Sequence, residues 1–105
     1  MSETELKKEI TDFLKANGYK VYRMQAGYIK KNVQLCPPGT PDLLAVGPRF
    51  TVWIEVKLPG KDLRPEQVRH IADLKGMNQR VLVAHSVFEV QEYLGYERKT
   101  GVKNQ

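Results

Sequence analysis

The run Phe50-Thr51-Val52-Trp53-Ile54-Glu55-Val56-Lys57-Leu58 constrains this chain more than any other segment. Up to its charged end it is almost wholly apolar or β-branched, without the alternation of a strand that keeps one face in water. Such a run reads as a central β-strand buried on both faces. Helices must then cover the sheet from both sides, and the flanking sequence supplies them.

The first helix is expected over residues 3 to 17. Ser2 is its N-cap, with Glu3 and Glu5 in the first turn, where negative charge suits the helix dipole. Leu6, Ile10, Phe13 and Leu14 recur at helical spacing and form its buried stripe. Asn17-Gly18 ends it, Gly18 taking a left-handed conformation. Residues 19 to 24 read as a strand. Residues 25 to 41 are irregular, since Pro37, Pro38 and Pro41 exclude regular structure there.

A second strand follows over 42 to 46, then the turn Gly47-Pro48-Arg49, then the central strand. Pro59-Gly60 breaks the chain, and Pro65 opens a helix that runs to about Lys75, with Gly76 closing it. Val68, Ile71, Ala72 and Leu74 supply its apolar face. A fourth strand covers 80 to 84. Ser86 caps a last helix to about Leu94, with Val87, Val90, Gln91 and Leu94 on one side. Residues 1–95 are one domain, and 96–105 a polar, frayed tail. The order αβββαβα, with a parallel pair across the crossover helix, implies an α/β three-layer core around a mixed sheet.

The chain of 105 residues suits a single domain, and its 41% hydrophobic content is ordinary for a globular protein. Neither a membrane-spanning run nor a signal peptide is read in it, so a cytoplasmic setting is expected. Cys36 has no intrachain disulfide partner. A net charge of +5 and a pI of about 9.4 suit a polyanionic partner such as nucleic acid, and equally suit plain solubility.

Three charged residues stand out. Asp42 opens the second strand, while Glu55 and Lys57 interrupt the central one, two apart and therefore on the same face. Buried charges need a partner or a metal. An ion pair between Glu55 and Lys57, with Asp42 merely following a turn, is one explanation. Phosphodiester hydrolysis is the other: two hard carboxylates and the Val56 carbonyl hold Mg²⁺, while a lysine neutralises developing charge and orients water.

Gly39-Thr40-Pro41-Asp42, then Ile54-Glu55-Val56-Lys57, then Leu63-Arg64-Pro65-Glu66-Gln67 resemble the VRR-NUC branch of the PD-(D/E)xK nuclease superfamily over about residues 3 to 94. The resemblance implies a restriction-endonuclease-like fold and Mg²⁺- or Mn²⁺-dependent DNA cleavage. It also implies a homodimer acting on branched DNA such as four-way junctions, in a bacterial or phage-infected cell. It matches Asp42 and Glu55 to the metal-binding acids, Lys57 to the catalytic lysine, and Gln67 to a helix glutamine that reaches back to the site. It also implies an acid on the first helix. Glu3, Glu5 and Glu9 are all available; Glu3 is preferred because it shares a face with Leu6 and Ile10. Arg64 stands where the family often has a capping Thr or Ser.

Lys30, Lys31, Arg23, Lys61 and Arg64 are the candidate DNA-backbone contacts. Tyr28 can stack on a base or pack its loop, and Trp53 is expected in the core. His70 and His85 lack metal-ligand spacing. A nickase, a flap or restriction-like nuclease, a non-catalytic branched-DNA binder and a basic protein-binding scaffold are the competing readings.

Overall fold

The computed structural model describes residues 1–27 and 35–102, with side chains described as far as Glu97. Helix α1 (Glu3–Ala16) starts at a reciprocal cap. The Glu5 N–H donates to Ser2 Oγ at 3.1 Å, and the Ser2 N–H donates to Glu5 Oε1 at 2.8 Å. Gly18 takes the left-handed turn expected of it, at φ 86°.

Strands β1 (Lys20–Arg23), β2 (Leu43–Val46) and β3 (Thr51–Val56) follow. Helix α2 (Pro65–Gly76), strand β4 (Arg80–Ala84) and helix α3 (Val87–Val102) complete the expected order. The sheet runs β1-β2-β3-β4, antiparallel across the first two pairings and parallel across the third. The parallel pair is the one joined through α2, as a crossover requires.

The two faces of the sheet are unlike. On one, Leu43, Ala45, Val52, Ile54, Val56 and Ala84 meet Leu6, Ile10 and Leu14 of α1 and Val90 and Leu94 of α3 in a single core. On the other, α2 packs beside β4, where Ile71 and Val81 are buried outside that core.

Several expectations need correcting. Val68 is 51% exposed and Ala72 is exposed too. They stand about 100° round the helix from Gln67 and Ile71, the two residues through which α2 is buried. Trp53 is half-buried rather than core, because α2 lies over β4 and not over the middle of the sheet; its indole N–H donates to Gln79 Oε1 at 3.2 Å. Gly76 belongs to α2, and Asn78 is the residue that turns left-handed, at φ 64°. Gln91, expected beside Val90 and Leu94, is exposed.

Helix α3 also continues to Val102, well into the expected tail. That stretch carries Glu97, Arg98 and Lys99 but also Gly95 and Gly101, so propensity alone does not account for its helix. Glu97 fastens it: Arg80 Nε on β4 donates to Glu97 Oε2 at 2.8 Å. Among the described residues no helix is long and apolar enough to cross a membrane.

Candidate active site

The register of β2 on β3 pairs Leu43 with Ile54 and so sets Asp42 across from Glu55, at the end of the sheet. Asp42 is fixed twice. Its carbonyl accepts from the Met24 N–H at 2.8 Å, extending the β1 ladder, and its Oδ2 accepts from the Val56 N–H at 2.8 Å. One register step further, Pro41 stands across from Val56 and has no N–H to offer the Val56 carbonyl.

Glu55 is 2% exposed. Its Oε2 accepts from Gln67 Nε2 at 3.2 Å, and its Oε1 is buried without a hydrogen-bond partner. Burial, then the Asp42 carboxylate beside it, push the Glu55 carboxyl up to about 8; Lys57 opposes the shift and Glu3 adds to it. Lys57 follows on the same face. Its N–H donates to the Ala84 carbonyl at 3.0 Å, which carries the β3–β4 pairing one residue past the strand, and the residue is 8% exposed. Among the described residues it is not within ion-pair distance of Glu55, although its charge still acts on that carboxyl.

Gln67 is held at both ends of its amide. While Nε2 reaches Glu55, Oε1 accepts from the Arg64 N–H at 2.8 Å and closes the start of α2. The glutamine thereby supplies the cap that an Arg at the capping position does not. Gly39 joins this helix to the loop before β2. It sits at φ 92°, and a side chain there would collide with the Glu66 carbonyl. Thr40 Oγ1 donates to the Pro37 carbonyl at 2.7 Å. The segment Gly39-Thr40-Pro41-Asp42 is thus pressed against the first turn of α2, which sets Asp42 and Gln67 relative to each other.

Of the first-helix acids, Glu3 is the one whose charge acts on Glu55. Glu5 is committed to the cap, and Glu9 lines a separate apolar groove with Leu58, Pro59 and His85. Lys7, not singled out from sequence, lies 3.3 Å from Asp42 Oδ1 through its Nζ. The available signal was its place one turn after Glu3, on the same stripe of α1.

A cleft of about 520 Å³ opens beside Asp42 and Gln67, with Lys7, Arg23, Gln25 and Arg64 among its walls. Arg23 and Arg64 therefore flank the site, Arg64 with its Nε 3.3 Å from Glu66. Lys61 is exposed in the turn after β3 and does not line the cleft. Tyr28, Lys30 and Lys31 lie outside the described residues. His85 pairs with Glu89 through Nδ1 at 3.0 Å, and Cys36, a free half-buried thiol, donates its N–H to the Gln25 carbonyl at 2.7 Å.

Among the described residues, no group of three His, Cys, Asp or Glu side chains is placed to hold a metal. The donor set is smaller: the Asp42 and Glu55 carboxylates, and the Val56 carbonyl that faces Pro41. The buried, unpartnered Glu55 Oε1 fits a hard cation that takes oxygen ligands.

A mixed four-stranded sheet between helical layers, with two acids, a lysine and a glutamine gathered at one end, has a restriction-endonuclease-like architecture. The model of the VRR-NUC domain family matches residues 1–88, and the chain belongs to that family. A solved structure described as a VRR-NUC domain superposes with a TM-score of 0.70 at 23% identity, covering 89% of this chain and 94% of that one. Comparison with curated proteins finds no match.

Proposed function

We propose that this domain is a metal-dependent DNA endonuclease that hydrolyses phosphodiester bonds in branched DNA such as four-way junctions, acting as a homodimer. The observation that carries the chemistry is Glu55, buried at 2% exposure with one oxygen held by Gln67 and the other without a partner. A purely DNA-binding surface has no use for a buried acid that repels phosphate.

Asp42, Glu55 and the Val56 carbonyl would hold Mg²⁺ or Mn²⁺. The ion supplies positive charge against a phosphate that gains negative charge in the transition state. Lys57 adds a second positive charge on the same side and orients the attacking water. Gln67 keeps the Glu55 carboxylate in one orientation, because its own amide is anchored on the α2 backbone. Arg23 and Arg64, together with Lys30, Lys31 and Lys61, would follow the DNA backbone. Glu3 adds a third carboxylate on the α1 side.

The branched substrate rests on the family resemblance. The dimer rests on it too, and on the small footprint of one chain against a junction with two symmetric strands to cut. The test is cleavage of end-labelled four-way junction, flap and linear duplex DNA in Mg²⁺, Mn²⁺ or EDTA, with Glu55→Ala alongside. Metal-dependent cutting of the junction, lost in the variant, is the expected result. Cutting only of linear duplex would replace the substrate, and no cutting of any DNA by folded protein would reject the enzyme. Light scattering is expected to give about twice the 12.0 kDa chain mass.

A further inference from the structure

Asp42 offers two oxygens, and both are taken. The Val56 N–H holds Oδ2 as part of the sheet edge, so that oxygen is fixed by the backbone. The other, Oδ1, carries Lys7 Nζ at 3.3 Å, and both residues line the cleft. The side chains of this pair are 21% and 19% exposed, so the pair lies at the edge of the interior, where water and a diffusing cation still reach it. A cation shared by Asp42 and Glu55 has to draw on the same Asp42 carboxylate.

We propose that Lys7 is an exchangeable counter-ion. It holds Asp42 Oδ1 in the metal-free protein, yields that oxygen when a divalent cation binds, and turns its ammonium to a DNA phosphate in the cleft. The inference rests on the functional reading above and adds a residue and an order of events to it.

Charge balance among the acids and the two lysines leaves room for a phosphate once a cation binds. Glu3, Asp42 and Glu55, once ionised, face Lys7 and Lys57, which leaves the cluster one negative charge in excess. A divalent cation turns that excess positive by one, and one phosphate neutralises it. Reach supports the exchange. Lys7 sits on the rigid α1, yet its ammonium ends a flexible four-carbon stem in the wall of the cleft that also holds Arg23 and Arg64. It can leave Asp42 for a phosphate without moving the helix.

The experiment compares wild type, Lys7→Met and Asp42→Ala in two readouts. The first is Mn²⁺ affinity without DNA, followed by the paramagnetic resonance of free Mn²⁺. Lys7→Met is expected to bind about two- to fivefold more tightly, since the competing ammonium is gone. The second is the salt dependence of junction binding in Ca²⁺ and in EDTA. Removal of one phosphate contact lowers the slope by roughly 0.7 to 0.9, and this loss is expected in Ca²⁺ and absent in EDTA.

Unchanged Mn²⁺ affinity overturns the proposal, as does a slope loss equal in both conditions, which would make Lys7 an ordinary backbone contact. If wild type binds Mn²⁺ no better than Asp42→Ala, the metal site itself fails and the exchange with it. If binding depends on Asp42 but not on Lys7, only the exchange fails. Should Lys7→Met not fold, Lys7→Gln carries the same comparisons.

Discussion

The two faces of β3 are buried by opposite means. On one, Val52, Ile54 and Val56 are fully enclosed between α1, α3 and the rest of the sheet. Each stabilises the fold by roughly 25 cal/mol for every Å² of apolar surface removed from water. On the other, Glu55 and Lys57 are nearly as enclosed but bring charge rather than hydrocarbon into the interior. Glu55 registers the cost directly, with a carboxyl pushed up to about 8. One six-residue strand therefore separates a face that holds the molecule together from a face that loosens it. A destabilising group kept at a well-built position points to work other than stability.

The sharpest way to break this contrast is to change each face in turn. Glu55→Gln keeps the shape and removes the charge. It is expected to reduce junction cleavage by roughly a thousandfold or more, since the ion loses a ligand. Its folded state should be as stable as wild type or more so by thermal denaturation at neutral pH. A variant that cuts normally would remove Glu55 from the chemistry.

Ile54→Ala tests the opposite face. It should cost about 2 to 5 kcal/mol through lost burial and a cavity. That corresponds to a melting temperature lower by roughly 10 °C or more. Cleavage per folded molecule should stay within a few-fold of wild type. If activity fell as far as in Glu55→Gln, the two faces would not be separable.

Most of the apolar face was legible in the sequence, because its signals are local. Leu6, Ile10 and Leu14 recur at helical spacing, Ser2 announces a cap, and the Thr51–Val56 run announces a central strand. The acids and Lys57 were legible because charge in that run is anomalous. What escaped depends on contacts between elements far apart in sequence. Lys7 becomes part of the site only once the fold brings Asp42 to α1, and its place one turn after Glu3 was the sole local hint. Val68 was placed inside because its apolarity fits a helix stripe, yet α2 packs chiefly against β4 and turns Val68 to solvent. The helical course of α3 beyond Leu94 was hidden by its polarity, since Glu97 is held there by a partner on β4.

The polar face should also reveal itself through pH. The Glu55 carboxyl goes from an ordinary value of 4.5 to about 8 on folding. Between those values the unfolded chain has released its proton and the folded chain has kept it. Its contribution to stability is therefore fully present below about 4.5 and is lost as pH rises through about 8. In EDTA, the melting temperature of wild type should fall across this window relative to Glu55→Gln, which has no proton to lose there. Mn²⁺ should restore wild type at the alkaline end and leave the variant unmoved. Parallel pH profiles would mean that Glu55 is ionised in the folded protein without help.

The smallest effects belong to the rim, where the contrast between the faces fades into solvent. Arg23 and Arg64 are exposed and line the cleft, and Arg64 is already shared with Glu66 at 3.3 Å. Neither holds the fold, so Arg23→Ala and Arg64→Ala should leave the melting temperature within about 2 °C of wild type, as exposed ion pairs contribute little. Each should weaken junction binding severalfold at moderate salt and reduce the salt slope by roughly 0.7 to 0.9. Arg23 should cost more than Arg64, because Glu66 competes with phosphate for the Arg64 guanidinium. A loss of cleavage without a change in salt slope would instead place the arginine against the reacting phosphate, and would extend the catalytic face of β3 out to its rim.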